Sequence, residues 1–429
     1  FCLQAVIAQK IQVLSQQTGE AVPGVALFNK EKSKSGVTDI DGFADISSFT
    51  QDELITFQHI AHVTLWQTKS QIIKAGSQVF LITDASSLDE VVLSVSKFGQ
   101  KKRDIPQQIV SITSQDILFK NPQTAADLLQ SSGQVYVQKS QLGGGSPIIR
   151  GFSTNRLLIA VDGVRFNTAI FRGGNVQNII SIDPFTVSRT EVILGPGSVV
   201  YGSDAVGGVM NFYTKKPIFS FEQGTTFSGN TTLRYATANK EKTGHFDFNI
   251  GAKKWAFLTS VTYSDFDNLR MGSFGPDDYL RTQYVETIEG IDTVVQNKNP
   301  KIQRPTAYSQ ISTMQKVRYM PNNNWNFDVG LSYTTTSDYP RYDRLIRTSN
   351  DALRSAVWDY GPQQWFSGNL QIQNTPETNT FFDKSAFTLS FQHFKEGRSD
   401  RDFGGIYLYK THDKVAAYTT AWDFEKKMK

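Results

Sequence analysis

Along residues 220–425 apolar and polar side chains alternate in runs about the length of a membrane-crossing strand. Asn326-Phe327-Asp328-Val329-Gly330-Leu331-Ser332-Tyr333-Thr334 alternates without a break. Phe246, Phe248 and Ile250 keep step, as do Trp255 with Phe257, Val261 with Tyr263, and Phe387 with Leu389 and Phe391. A period of two sends successive side chains to opposite faces of a strand, so each run predicts a strand with one apolar face. Some runs are joined by tight turns such as Pro321–Asn324, others by long polar stretches at 267–306 and 338–362. Short connections on one side, long ones on the other, and Tyr319, Trp325, Tyr333 and Trp365 near strand ends predict an antiparallel transmembrane barrel. About eight such strands are expected, the last over Val415–Phe424.

The pattern differs upstream. Between residues 10 and 84, β-rich runs at Val22–Phe28, Phe43–Ile46, Leu54–Phe57 and Val79–Thr83 are separated by turn signals at Gly19, Gly36 and Gly42, which predicts a small β-sandwich. Asp39-Ile40-Asp41-Gly42 has the look of a calcium loop, but Thr50 stands where such a loop supplies its bidentate Glu, so a hairpin turn is the better account. A polar hinge, Asp84–Ser87, precedes Leu88-Asp89-Glu90-Val91-Val92-Leu93. Residues 98–217 read as a glycine-dense α/β segment. It has a helix starting with Asn121 as N-cap and Pro122 at its first position, then strands at Ile148–Arg150, Leu157–Val161 and Val192–Leu194.

Composition narrows the classes. The chain has 429 residues, of which 39% are hydrophobic and 12% aromatic, too many for a disordered chain. No apolar stretch is long enough for a membrane helix, an observation that leaves barrels open. Net charge is +4 from 44 basic and 40 acidic residues, with no basic, aromatic-interleaved patch to suggest a nucleic-acid partner. The single cysteine, Cys2, permits no internal disulfide. Residues 1–9, apolar up to Ala8, read as the remnant of a secretory signal.

Specific motifs then carry a resemblance. Arg150-Gly151-Phe152, Val161-Asp162-Gly163-Val164 and the run from Glu191 through Gly195, Tyr201, Gly202, Gly207 and Gly208 to Phe212 resemble the plug of TonB-dependent outer-membrane receptors. Leu88–Leu93 resembles the TonB box of the Bacteroidetes members. The pattern around Pro23-Gly24 and Thr38–Phe43 resembles the carboxypeptidase-regulatory-like Ig-type domain found ahead of many of them. Four blocks, Phe171–Pro184, Tyr339–Leu345, Tyr360–Trp365 and Phe391–Arg401, are similar to the haem/haemoglobin/transferrin receptor branch.

The resemblance implies a mainly β protein: an Ig-like β-sandwich at 10–84, a linker with the TonB box at 85–97, an α/β plug at 98–217, and the N-terminal portion of a barrel from 218 to 429. Eight strands cannot close a family barrel of about 22, so the sequence is expected to be the front of a longer protein. The implied function is import of an iron source, foremost haem or iron from a haem protein, across the outer membrane of a Gram-negative bacterium. Movement of the plug would be driven by TonB and its inner-membrane energising complex.

Partners implied are TonB, outer-membrane lipid, and haem, a haem protein or a ferric siderophore. No permanent cofactor is implied; haem or a ferric complex would be cargo. Alternatives are a siderophore, glycan or peptide importer of the same superfamily, and, in another class, a passive porin or adhesin. Physically, Leu88, Val91, Val92 and Leu93 form a β-prone run able to add to an exposed sheet edge, and Asp89 and Glu90 could pair with basic groups.

Candidate ligand contacts are Arg172, Asn175, Gln177 and Asn178. Arg150, Arg172 and Asp162 could also touch ligand, although pairing within the plug or to the wall explains such charges better. None of the five histidines (His59, His62, His245, His393, His412) lies between 88 and 217, so the axial imidazole some haem receptors use is missing from the plug. Tyr136, Tyr201 and Met210 remain there, each better explained by packing. Any metal ligand is unknown. An enzyme is not expected: there is no His-Glu-x-x-His, no Gly-x-Ser-x-Gly elbow and no phosphate-cradling Gly-Lys-[Ser/Thr] loop.

Overall fold

The computed structural model describes residues 9–16, 19–59, 62–82, 91–94, 98–102, 105–139, 142–166, 170, 179–220, 224–378 and 381–426. The expected signal remnant lies outside these residues save for Gln9.

The N-terminal unit holds seven strands: β1 (Lys10–Ser15), β2 (Ala26–Phe28), β3 (Ser35–Val37), β4 (Phe43–Asp45), β5 (Leu54–His59), β6 (His62–Thr68) and β7 (Gln78–Leu81). They form two sheets, ordered β4-β1-β7 and β3-β2-β5-β6. Val13, Leu27, Ile46, Phe57, Ile72 and Leu81 fill the space between them without exposure, as alternation requires when each sheet buries one face. A short helix α1 (Lys69–Lys74) starts at a capping box in which Thr68 and Gln71 satisfy each other's amides. Asp39 Oδ1 accepts the amides of Asp41 (3.0 Å) and Phe43 (2.8 Å), and Gly42 turns at φ +76°, so the acidic motif holds its own turn.

The central unit is built on five strands: β8 (Ile109–Thr113), β9 (Leu157–Val161), β10 (Val164–Arg165), β11 (Val187–Ile193) and β12 (Gly208–Thr214), in the order β8-β11-β12-β9-β10. All seven residues of β12 are buried, because it runs parallel to β9 on one side and antiparallel to β11 on the other. Two helices, α2 (Ser114–Lys120) and α3 (Ala125–Gln130), each begin at a Thr capping box, with Asp116 and Asp127 as the third residues.

The helix expected from Asn121 is therefore misplaced. Asn121 closes α2 in the left-handed region (φ +44°), and Thr124 caps α3. Thr124 wins because its hydroxyl and Asp127 satisfy two orphan amides reciprocally, whereas Asn121 is among the residues that tolerate positive φ. The predicted strand at Ile148–Arg150 also gives way to a short strand ending at Ile148 and a tight turn through Arg150 and Gly151.

Eight long strands follow: β13 (Thr226–Ala236), β14 (Glu241–Gly251), β15 (Trp255–Phe266), β16 (Tyr308–Asn322), β17 (Trp325–Thr336), β18 (Ser355–Asn374), β19 (Lys384–Asp402) and β20 (Tyr409–Glu425). Each pairs antiparallel with the next in chain order. Their faces are inverted relative to a soluble sheet. Phe246, Phe257, Val261, Tyr263, Val329 and Leu331 are exposed, while Thr243, His245, Asp247, Ser260, Thr262 and Lys316 are buried. An apolar exterior around a polar interior is the arrangement of a membrane barrel wall. The ends differ too. Residues 252–254 and 323–324 make tight turns at one end, where Trp255 stacks on Tyr319 at 4.2 Å and Trp325 on Phe327 at 5.9 Å. At the other end the stretch 267–307 folds back as a hairpin, Gln283–Ile288 against Ile291–Gln296.

Candidate functional site

The central unit sits on the polar face of the long sheet, and two sets of contacts give it a possible role: those that hold it to the wall, and those that hold the segment ahead of it.

The wall contacts start from a turn. Asp162-Gly163 joins β9 to β10 with both residues at positive φ (+50° and +76°), the two-residue turn for which this dipeptide is suited. The turn aims the Asp162 carboxylate at Thr214 and the wall. It accepts the Thr214 amide at 2.8 Å, the Thr214 hydroxyl at 2.6 Å and Lys316 Nζ on β16 at 2.8 Å. Burial opposes ionisation of Asp162, but Lys316 and Thr214 outweigh it and hold the carboxyl below the usual range. Beside it Gln371 donates to the Asp162 carbonyl at 2.7 Å and Gln392 to that of Arg165 at 2.8 Å. Wall side chains thus hydrogen-bond directly to backbone carbonyls of the buried unit. Phe166 packs edge-on against Trp365 (5.2 Å) and Phe394 (5.3 Å) of the wall, so one apolar core spans both parts.

Against one face of the five-stranded sheet lies the end of the Leu88–Leu93 run. Leu88, Asp89 and Glu90 fall outside the described residues. Val91 and Val92 pair antiparallel with Gln100 and Lys101. Val92 is fully buried among Ile105, Ile109, Leu158, Ile193 and Val209. The carboxylate of Glu191 on β11, itself unexposed, accepts the amides of Leu93 (3.1 Å) and Ser94 (2.9 Å), and Arg189 pairs with it at 3.0 Å. Tyr201 and Tyr213 close this corner; burial first, then the Glu191 charge, pushes both phenols up, so they stay protonated, and both oxygens accept from the Asn211 side-chain amide.

The remaining motif residues act through geometry. Arg150 Nη1 donates to the Leu194 carbonyl at 3.0 Å and Nη2 to Gln108 at 2.9 Å, tying the Gly151-Phe152 turn to the sheet. A side chain on Gly207 would stand 2.5 Å from Phe152, so this backbone passes directly beneath that ring. Gly195 and Gly202 lie in the turns around helix Ser198–Tyr201, and Gly208 opens β12. Arg172, Asn175, Gln177 and Asn178 lie outside the described residues. Of the tyrosines and methionine considered as ligands, Met210 is fully buried in the core and Tyr136 is 64% exposed.

At the long-loop end Arg401 grips Asp292 at 2.7 Å, fixing the hairpin, and Arg341 lies 4.8 Å over the Tyr360 ring while pairing with Asp343 at 2.8 Å. Among the described residues no group of three His, Cys, Asp or Glu is placed to hold a metal ion.

Residues 101–209 match the family model described as the TonB-dependent receptor plug domain. Residues 101–209 are thus a TonB-dependent receptor plug domain, and a stretch of antiparallel wall follows it. The chain's fold is shared with the FrpB iron transporter of Neisseria meningitidis, at 14% identity and TM-score 0.58, over 75% of this chain and 47% of that one. The haemophore receptor HasR of Serratia marcescens, solved with haemophore HasA and haem, matches at 16% identity and TM-score 0.50, over 74% and 41%. The ferric enterobactin receptor PfeA of Pseudomonas aeruginosa matches at 15% and 0.50, over 73% and 46%. The chain spans less than half the length of these structures. TonB-dependent receptors are Gram-negative outer-membrane transporters, and the plug match together with the inverted wall agrees with an outer-membrane location.

Sequence reasoning singled out Asp162 and Val92. Of the partners that give them meaning, it named Glu191 only as the start of a plug motif and did not single out Lys316. A charged residue in the otherwise strand-like Val187–Ile193 was a usable signal, since an unexposed carboxylate needs a partner.

Proposed function

We propose that the full-length protein imports an iron source by energy-coupled movement of the plug, and that the cargo is haem or iron from a haem protein. The observation that carries the coupling half is the docking of Val92, Leu93 and Ser94 onto the plug sheet through Glu191. Leu88–Leu93 then serves as the TonB box, handed to TonB as an added strand when the plug shifts. The domain division stays as the sequence suggested: an Ig-type carboxypeptidase-regulatory-like unit at 10–84, a linker at 85–97, the plug at 98–217 and barrel from 218. Arg172, Asn175, Gln177 and Asn178 are the plug residues proposed to meet ligand.

For the cargo, support comes from the four haem-branch blocks and from two neighbours, an iron transporter and a receptor solved with its haemophore and haem. A ferric siderophore is the second reading, favoured by the plug's lack of histidine and by the enterobactin-receptor neighbour. The test is titration of the full-length receptor with haemin while following the Soret band. A saturable shift at about one haem per protein supports the first reading. No shift, with saturable binding of a ferric siderophore, replaces it with the second. Deleting residues 88–93 should abolish import while leaving binding intact; unchanged import would point to a passive pore.

A further inference from the structure

A second plug-to-wall contact lies away from Asp162 and has a property that the first lacks. On the plug, Asp183 caps a turn of 3₁₀ helix, its Oδ1 accepting the Phe185 amide at 3.0 Å. Its Oδ2 lies 2.6 Å from Thr262 Oγ1 on β15. The same hydroxyl lies 2.8 Å from His245 Nδ1 on β14. His245 Nε2 in turn lies 2.9 Å from Asp247 Oδ2, which also accepts Lys215 Nζ at 2.6 Å, while Asn230 donates to Oδ1 at 3.2 Å. The chain of contacts therefore leaves the plug at Asp183, crosses two wall strands and returns to the plug's exit segment at Lys215. Phe185 stacks on the imidazole at 4.8 Å and 14°, and Arg234 lies over the Phe185 ring at 5.0 Å while paired with Glu241.

Counting protons fixes the states of this chain. A hydroxyl has one proton to give, and Thr262 has an acceptor-capable atom on each side. Nε2 faces a carboxylate that already accepts from Lys215, so Nε2 carries a proton and donates. If Thr262 donates to Asp183, Nδ1 must donate to Thr262, and the ring is imidazolium beside an ionised Asp183. If Thr262 donates to Nδ1, the ring is neutral and Asp183 is a carboxylic acid that donates to Thr262. Moving between the two needs only one shift along two hydrogen bonds: the Asp183 proton goes to Thr262 while the Thr262 proton goes to Nδ1. Both forms carry the same total charge. Burial pushes the Asp183 carboxyl up, toward the second form.

We propose that Asp183, Thr262 and His245 hold one shared proton that clasps the plug to the wall, and that His245 is a positioning residue for the plug. Remove that proton and the ionised Asp183 and bare Nδ1 both need the single Thr262 proton, so one of the two bonds is lost and the plug loosens here. The titratable and charged groups facing the pair are Asp247 and Glu241 on the same strand, Arg234 from β13, and Lys215 from the plug. None of them can supply a proton to Thr262 from its present partner without breaking its own ion pair. A small cleft lined by Asp183, Thr262, Ser264, Gln310, Ile182 and Phe266 adjoins the clasp.

The inference needs neither ligand nor TonB, so its failure would leave the import reading standing. Amide exchange of residues 179–187 is measured in the full-length receptor in lipid between pH 6 and pH 9, corrected for intrinsic exchange rates. Protection in the wild type is expected to fall about tenfold as pH rises, the effect of losing one charge-assisted hydrogen bond. In Asp183→Asn the amide nitrogen can donate to Thr262 at any pH, so protection should stay flat. His245→Gln should likewise remove the dependence; should that variant fail to fold, Asp183→Asn alone decides. A flat wild-type profile, or an Asp183→Asn profile as steep as the wild type, overturns the proposal.

Discussion

The amide of Ser94 donates to the carboxylate of Glu191 at 2.9 Å across 97 residues of sequence, in a corner from which Glu191 has no exposure to water. The neighbouring Leu93 amide shares the same acceptor. Holding a buried anion with backbone amides and a single arginine is a costly arrangement to leave half-made, because the desolvation penalty stays when a partner goes.

Glu191→Ala should release the segment at Leu93 and Ser94. The expected readout is loss of amide protection at those two residues by roughly 10- to 100-fold, following from one or two charge-assisted hydrogen bonds. Glu191→Gln keeps one acceptor oxygen and should lose less. Unchanged protection in Glu191→Ala would mean that Val92 burial alone holds the segment.

Lys316→Met leaves Asp162 buried without its ion-pair partner. The cost should be about 3–5 kcal/mol of plug docking, read as a lower temperature for plug unfolding in the intact receptor. Pairing it with Asp162→Asn should restore much of the loss, since the uncompensated charge is then gone. If the double variant is as unstable as the single, the ion pair is not what Lys316 contributes.

The N-terminal unit should weaken in acid. His59 and His62 face each other at 2.8 Å through their Nδ1 atoms, and burial, then the neighbouring His59, lowers His62 to about 4 from its ordinary 6.5. The unfolded chain therefore binds more protons between these values, so stability is full above pH 6.5 and falls as pH drops toward 4. With a half-buried ring the loss should be about 1–2 kcal/mol. His62→Gln should flatten the exchange protection of residues 54–81 over that range; an unchanged slope would assign the acid sensitivity elsewhere.

Gly207→Ala should destabilise the plug by about 1–3 kcal/mol through overpacking against Phe152, seen as a lower midpoint in denaturant. A neutral result would show that Phe152 can move aside. Ligand binding need not change, since Gly207 makes its case by space alone.

The wall was legible because its information is local. Every second residue of Asn326–Thr334 meets the outside and the rest meet the interior, so the alternation reports the environment directly. The Arg150–Phe212 motifs were legible for a related reason: turns such as Asp162-Gly163 and passes such as Gly207 under Phe152 impose residue types on short stretches. Pairings across distance were not. Lys316 looks like any polar residue in an alternating strand until Asp162, 154 residues earlier, is placed against it. His245 was noticed as a histidine but had no role until Thr262 and Asp183 were brought to either side. The helix start at Thr124 was readable, since Thr-x-x-Asp resembles a capping box, and Asn121-Pro122 obscured it by offering a second valid start.

Strand β12 has one end in the Val92 cluster, through Val209, and the other at the Asp162–Lys316 contact, through Thr214. Its seven residues span about 20 Å of extended chain. It is hydrogen-bonded along its length to β9 and β11. Any tension transmitted through Leu93 and Ser94 would first load Glu191 on β11 and the Val92 cluster, and only then reach the wall pair at the far end of β12. Resistance to a pull then depends on direction: along the strands many bonds share the load at once, whereas across them they fail one at a time. Were the plug pulled, the direction of the pull would decide whether it unravels or leaves as a block.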